Sequence, residues 1–193
     1  MTRSSKCRIV AVDGLDGSGK SQFAAALAAA CAADGVAATV LHVDDFRREI
    51  DFQGLHAAAE AALYYERRFD LAALDGELAS VEAELAIVEG VFTLRVPTIA
   101  ASAALVVLTV SADEARRRIL ARDRSKGRID DDINHRIAFR YFPGQERYRA
   151  ECDLLGHAAA VVDNEDWRRP RVVRHTPGQL PGPIERLLGG LPR

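Results

Sequence analysis

The chain has 193 residues, 48% hydrophobic and 28% charged, with a formal net charge of −2. That is one globular domain by length, large enough to bury a core without disulfides or a structural metal. Bulk disorder, collagen and coiled coil are excluded, and the near-neutral balance argues against a dedicated nucleic-acid binder, which would carry a strongly basic face.

No apolar run reaches the roughly 20 residues of a membrane span. Met1 to Lys6 is polar and leads straight into an apolar strand, so no signal peptide is expected and a cytoplasmic location follows. Cys7, Cys31 and Cys152 lack C-x-x-C spacing and read as small buried hydrophobes in a reducing compartment. Lysine occurs only at Lys6, Lys20 and Lys126, every other basic residue being arginine, so a lysine at a special position is informative.

Taken in order, Arg8 to Asp13 is a short apolar run that suits a strand buried on both faces of a parallel sheet. Gln22 to Ala33 reads as a helix, with Phe23 and Leu27 four apart and Gly35 at its C-terminal end. Strands follow at Thr39 to Val43, Leu85 to Val88, Ala104 to Val110 and Ala158 to Val162. Helices are predicted over His56 to Arg68, Leu71 to Ala86 with a break, Asp113 to Arg122, and Asp130 to Arg149 with a break at Pro143. From Pro170 onward Pro and Gly are dense, which predicts a loosely packed tail (170–193) after a domain over 1–169, with one short helical stretch from Ile184 to Leu188. Alternating strands and helices imply right-handed βαβ units, an α/β fold with a five-stranded parallel sheet and helices on both faces. Ligands then bind beyond the carboxyl ends of the strands, where Asp13, Asp44, Asp45, Glu89, Asp163 and Asn164 cluster.

Gly14-Leu15-Asp16-Gly17-Ser18-Gly19-Lys20-Ser21 fits G-x-x-x-x-G-K-[ST] in full, after a strand and before a helix. Its glycines let backbone N–H groups turn around phosphate oxygens, and the helix N-terminus adds partial positive charge. Lys20 reaches the β/γ-phosphates and Ser21 ligates Mg²⁺. Asp44 and Asp45, after the second strand, are candidates for the base that accepts the proton of an attacking hydroxyl, with a helix cap or solvated turn as the alternative. Adjacent strand residues point to opposite faces, so at most one of the two is expected to face the crevice. Glu89, ending the third strand, stands where a carboxylate orients Mg²⁺ or its waters. Arg116 to Arg128 forms an arginine-rich helix running into Ser125-Lys126-Gly127. Arg118 and Arg122, four apart, share one face and suit a closing lid over the γ-phosphate, although a solvated basic face is the alternative for any single arginine.

Together these motifs resemble the uridine kinase-like branch of P-loop kinases, which includes nicotinamide riboside kinase and pantothenate kinase relatives; the resemblance runs from about Arg8 to Asn164. His42-Val-Asp-Asp-Phe46 resembles the family's Asp-[Ser/Asp]-Phe motif, whose first aspartate is the expected base, here Asp44. Arg68-Phe69-Asp70 resembles the segment whose aspartate binds sugar hydroxyls. Val88-Glu89-Gly90 resembles the Glu-Gly strand end, Arg118 to Asp123 the lid, and Val162-Asp163-Asn164 the last strand near the adenine. Arg140-Tyr-Phe-Pro-Gly-Gln145 is similar to actinobacterial uridine kinase-like proteins. The resemblance implies ATP and Mg²⁺ as cofactors, a small-molecule acceptor contacted by Asp44, Asp45, Phe46, Asp70 and Arg140, and no nucleic-acid or membrane partner; a homo-oligomer stays open. One departure matters: the pyrimidine-reading hairpin before the Glu-Gly strand has no room between Leu74 and Leu85. A nucleoside is the first acceptor this implies, with a nucleoside monophosphate kinase or a nucleotide-binding protein without transfer activity as alternatives. A regulatory GTPase is disfavoured because no Asn-Lys-x-Asp segment is present.

Overall fold

A computed structural model describes residues 7–193; the polar lead Met1 to Lys6 lies outside the described residues. Six strands form one sheet in the order β2-β3-β1-β4-β5-β6. They span Arg8–Gly14 (β1), Ala38–His42 (β2), Leu85–Glu89 (β3), Ala104–Thr109 (β4), Ala158–Asp163 (β5) and Arg171–His175 (β6). The first five are parallel, and β6 pairs antiparallel with β5 at the edge. The sheet therefore has one strand more than the sequence predicts.

The period of two in each strand divides its side chains between two cores. Ala11, Ala86, Val88, Leu105 and Val107 face one side, packed with α2 (Ala57–Arg67), α3 (Leu71–Ala79), α4 (Pro97–Ser102) and α7 (Phe142–Glu151). Val10, Val12, Leu85, Ile87, Val106 and Leu108 face the other, against α1 (Lys20–Ala33) and α9 (Gly182–Gly189). Continuous apolar runs are required because both faces are covered.

The tail corrects the sequence expectation. Val172, Leu180, Ile184 and Leu188 are buried in the α1-side core, and α9 packs on α1. Each such side chain removed from water is worth about 1.5–3 kcal/mol, enough to hold a short Pro/Gly-rich stretch in place.

The long helix predicted over 130–149 is three pieces. These are α6 (Asp130–Arg136), a π-helical turn (Ile137–Tyr141) and α7. Pro143 sits in the first turn of α7, where its missing N–H costs least, and the wider turn before it absorbs the break. Between α5 (Ala112–Ser125) and α6, Ile119, Ile133 and Ile137 form a small separate core, so this arginine-rich arm carries its own packing. A last short helix, α8 (Leu154–His157), leads into β5. Of the cysteines, Cys31 is buried, Cys7 and Cys152 are half-buried, and all three are free.

Candidate functional site

The loop from Gly14 to Ser21 joins β1 to α1 at the carboxyl end of the sheet, between the ends of β3 and β4. Its conformation needs glycine. Gly17 and Gly19 have φ of 81° and 90°, and a Cβ would sit 2.5 Å from the Ala115 carbonyl oxygen and 2.7 Å from Asn164 Nδ2 respectively. Gly19 precedes α1 without any side chain capping the helix, which leaves the first-turn amides for an anion. Lys20 is buried, and its Nζ donates to the carbonyls of Gly14 (3.1 Å) and Leu15 (2.7 Å), inside the loop it belongs to.

Three side chains from distant elements brace the loop. Gln145 of α7 accepts the Asp16 amide through Oε1 at 2.8 Å. Asn164, just past β5, donates Nδ2 to the Ser18 carbonyl at 2.6 Å. Asp13, fully buried, accepts from the Gly14 amide, the Thr93 amide and hydroxyl, and the Tyr148 hydroxyl. Burial pushes the Asp13 carboxyl above its ordinary value, opposed by the Thr93 bond and the charge of Lys20. Thr93 reaches Asp13 because Phe92 adopts φ 66°, unusual for an aromatic residue. Its ring is held edge-on by Tyr64, Tyr65, Phe69 and Tyr148, and this cluster offsets the backbone cost.

Glu89 ends β3 beside the loop. Its Oε1 accepts from Ser21 Oγ (2.9 Å) and lies 2.6 Å from His42 Nδ1. A hydroxyl and a buried carboxylate in contact are hard oxygen donors of the kind Mg²⁺ prefers. That ion binds through one or two such groups plus substrate phosphates. Among the described residues no group of three or more His, Cys, Asp or Glu side chains forms a metal cage, and Mg²⁺ bound in this way needs none.

Arg118 and Arg122 both turn from α5 onto the loop. Arg118 donates to the carbonyls of Asn164 (2.8 Å) and Glu165 (2.9 Å) and is held by Glu114 at 2.6 Å. Arg122 pairs with Asp16 at 2.8 Å and with the buried Asp123, which also takes Arg128. Burial pushes the Asp16 carboxyl up, but Arg122 and Lys20 outweigh it and hold it below its ordinary value.

One cleft of about 560 Å³ joins these parts. It is lined by Gly17, Lys20, Ser21, Glu89, Arg118 and Arg122 at one end, and by Asp44, Arg47, Arg68, Phe69, Arg136 and Tyr141 at the other.

Several sequence expectations are corrected here. Asp44 and Asp45 lie in a 3₁₀ turn (Val43–Phe46), not in a strand, so strand alternation does not choose between them. Asp44 lines the cleft, paired with Arg47, whereas Asp45 and Phe46 do not line it. Asp70 caps α3 by accepting the Ala73 amide and pairs with Arg48 at 2.7 Å, outside the cleft lining. Arg140 pairs with buried Glu60 at 2.6 Å and stacks over Phe52, also outside it. Ser18 is fully buried within the loop, and Gly14 lines a neighbouring pocket and not this cleft. The bracing roles of Gln145, Thr93, Tyr148 and His42, and the cleft position of Arg68, were not read from sequence. Each depends on contacts between elements far apart in the chain.

No protein-family model and no curated protein matches this sequence. Solved structures do. A protein provisionally described as a uridine kinase, from Bacillus stearothermophilus, superposes with TM-score 0.60 and 18% identity over 83% of this chain and 90% of that one. A protein provisionally described as a fructose transport system kinase, from Silicibacter sp. TM1040, gives 0.57 and 22% over 78% and 88%. The chain shares the α/β P-loop fold of these two structures, and the extra edge strand is compatible with it. Among the described residues no helix is long and apolar enough to cross a membrane.

Proposed function

We propose that the protein transfers a phosphoryl group from Mg-ATP to a hydroxyl of a small metabolite of nucleoside or sugar type. The observation that carries this reading is the single cleft in which Lys20, Ser21 and Glu89 meet Asp44 and the lid arginines. Bound Mg-ATP supplies the phosphoryl donor and the cation that offsets its charge. The loop amides and Lys20 would hold the phosphates, with Ser21 and Glu89 toward the metal. Lys20 would leave its two carbonyl partners to do so. Arg118 and Arg122, on an arm with its own small core, act as the lid. An anionic phosphate competes with Asp16 for Arg122, and that competition triggers closure.

The acceptor hydroxyl is a poor nucleophile at neutral pH. Asp44 takes its proton as the oxygen attacks, a role worth about 10²- to 10⁴-fold. Asp44→Asn keeps the shape and removes the base. Its kcat should fall by roughly 10²-fold or more, with nucleotide affinity little changed, while Asp45→Asn stays near wild type. Steady-state kinetics at saturating ATP on a panel of nucleosides and sugars checks this. If Asp45→Asn is the inactive variant, the assignment moves by one residue.

A further inference from the structure

The two ends of the cleft carry more positive charge than a triphosphate alone explains. At the acceptor end stand Arg47, just past the 3₁₀ turn, Arg68, just past α2, and Arg136, the last residue of α6. The fold fixes two of them side by side. Arg47 and Phe69 form an antiparallel bridge, the Arg48 amide donates to the Arg68 carbonyl at 2.8 Å, and the Asp70 amide donates to the Phe46 carbonyl at 2.8 Å.

Their partners differ. Arg47 pairs with Asp44, and Arg136 reaches Asp132 through Nε at 2.9 Å. Arg68, half-buried, spends Nη1 on the Arg48 carbonyl at 2.7 Å, and among the described residues no carboxylate lies within ion-pair reach of it. The charged side chains that most affect it are cations. Burial first, and then the charges of Arg47 and Arg136, pull its guanidinium below the ordinary arginine value, while the phenols of Tyr64 and Tyr141 oppose this. A partly buried cation facing like charges without an acid is costly unless a ligand supplies the anion.

We propose that the acceptor carries its own anionic group, a phosphate or a carboxylate, bound by Arg68 with Arg47 and Arg136 beside it, while its hydroxyl faces Asp44. This rests on the phosphotransfer reading of the same cleft and narrows it. A planar guanidinium suits both anions, since each offers two oxygens to its fork of N–H donors. In the transfer, the hydroxyl oxygen bonds to the γ-phosphorus, the bond from that phosphorus to the departing ADP oxygen breaks, and the hydroxyl proton passes to Asp44. The acceptor's own anion is unchanged. Neutral nucleosides and free sugars are then poor acceptors beside their phosphates or acids.

The test uses the full chain with matched ligands: a nucleoside and its monophosphate, a sugar and its phosphate, a polyol and the corresponding hydroxy acid. Binding is measured by calorimetry with a non-hydrolysable ATP analogue and Mg²⁺ present. Turnover is measured by ADP release, with the product identified by mass. At least one anionic member should bind, and Arg68→Met should weaken it roughly 10- to 100-fold. Arg68→Lys should recover part of the loss, which separates charge from folding. The phosphate and acid arms tell which anion is used. Binding or turnover of a neutral member equal to its anionic partner, unchanged by Arg68→Met, overturns the inference and leaves the kinase reading standing. Absence of Arg68-dependent binding by every anionic member also overturns it. Arg68-dependent anion binding without any transfer product upholds the anion site and sinks the kinase reading instead.

Discussion

Lys20 is the side chain on which the proposed phosphate site turns. It is buried, and its Nζ donates to two carbonyls of its own loop. A methionine of similar length keeps the apolar stem but leaves both carbonyls without this donor and any phosphate without its cation. Lys20→Met should cut kcat/KM by about 10²- to 10³-fold, the scale seen when a preorganised charge donor is removed. Melting temperature measured alongside separates this from loss of fold. Asp44 teaches a complementary lesson. Its motif was legible in sequence, but its orientation was not, because a 3₁₀ turn replaces the strand on which alternation would apply. Asp70 and Arg140 are engaged elsewhere in the fold, because arginine and acid abound in this chain. Each found a structural partner, Arg48 and Glu60, that no local spacing announces.

Among the elements, α5 does the most connecting. Ser111 caps it by accepting the Glu114 amide, and Asp113 and Glu114 lie in its first turn where the helix dipole favours acids. Glu114 grips Arg117 and Arg118. Its bond to Arg117 is the largest influence on a carboxyl held down to about 2, against an ordinary value of 4.5. A carboxyl depressed in the folded state contributes stability that is fully present above the unfolded value and is lost as pH falls through the folded one. Stability should therefore decline as pH drops from about 4.5 toward 2, and Glu114→Gln should flatten that part of the curve. Urea denaturation of both proteins across that range checks the sign; an identical acid limb in the variant would refute it. Salt should weaken the effect, because the Arg117 side of the pair is exposed. Sequence placed this helix and its arginine face correctly. It could not place the π turn before α7, which follows from how Pro143 is accommodated.

At the scale of the whole molecule, the parallel sheet and its site at the strand ends were legible because buried apolar runs, glycine turns and a P-loop each carry strong local signals. Strand β6 was not, and α9, expected as a short helix over Ile184 to Leu188, was not expected to pack into the core. Arg171–His175 is an edge strand whose burial alternates only weakly, and α9 is short and starts with Gly-Pro. Such segments are stabilised by what they pack against, β5 for the strand and α1 for the helix, and their own residues announce little of it.

Trp167 is the only tryptophan in the chain. It follows Asn164, which is bonded to the loop, and it lines the cleft while half of its surface remains exposed. The guanidinium of Arg168 lies 5.1 Å from its ring centroid. The protein therefore carries a built-in optical probe in its cleft, near the loop proposed to hold the nucleotide. Titration with ADP or a non-hydrolysable ATP analogue should shift the emission maximum or change its intensity, saturating with the affinity that calorimetry gives. Acceptor alone should leave the emission nearly unchanged, because Arg68 and Asp44 stand toward the other end. A signal that follows the acceptor and ignores the nucleotide would mean that the two ends have been assigned the wrong way round.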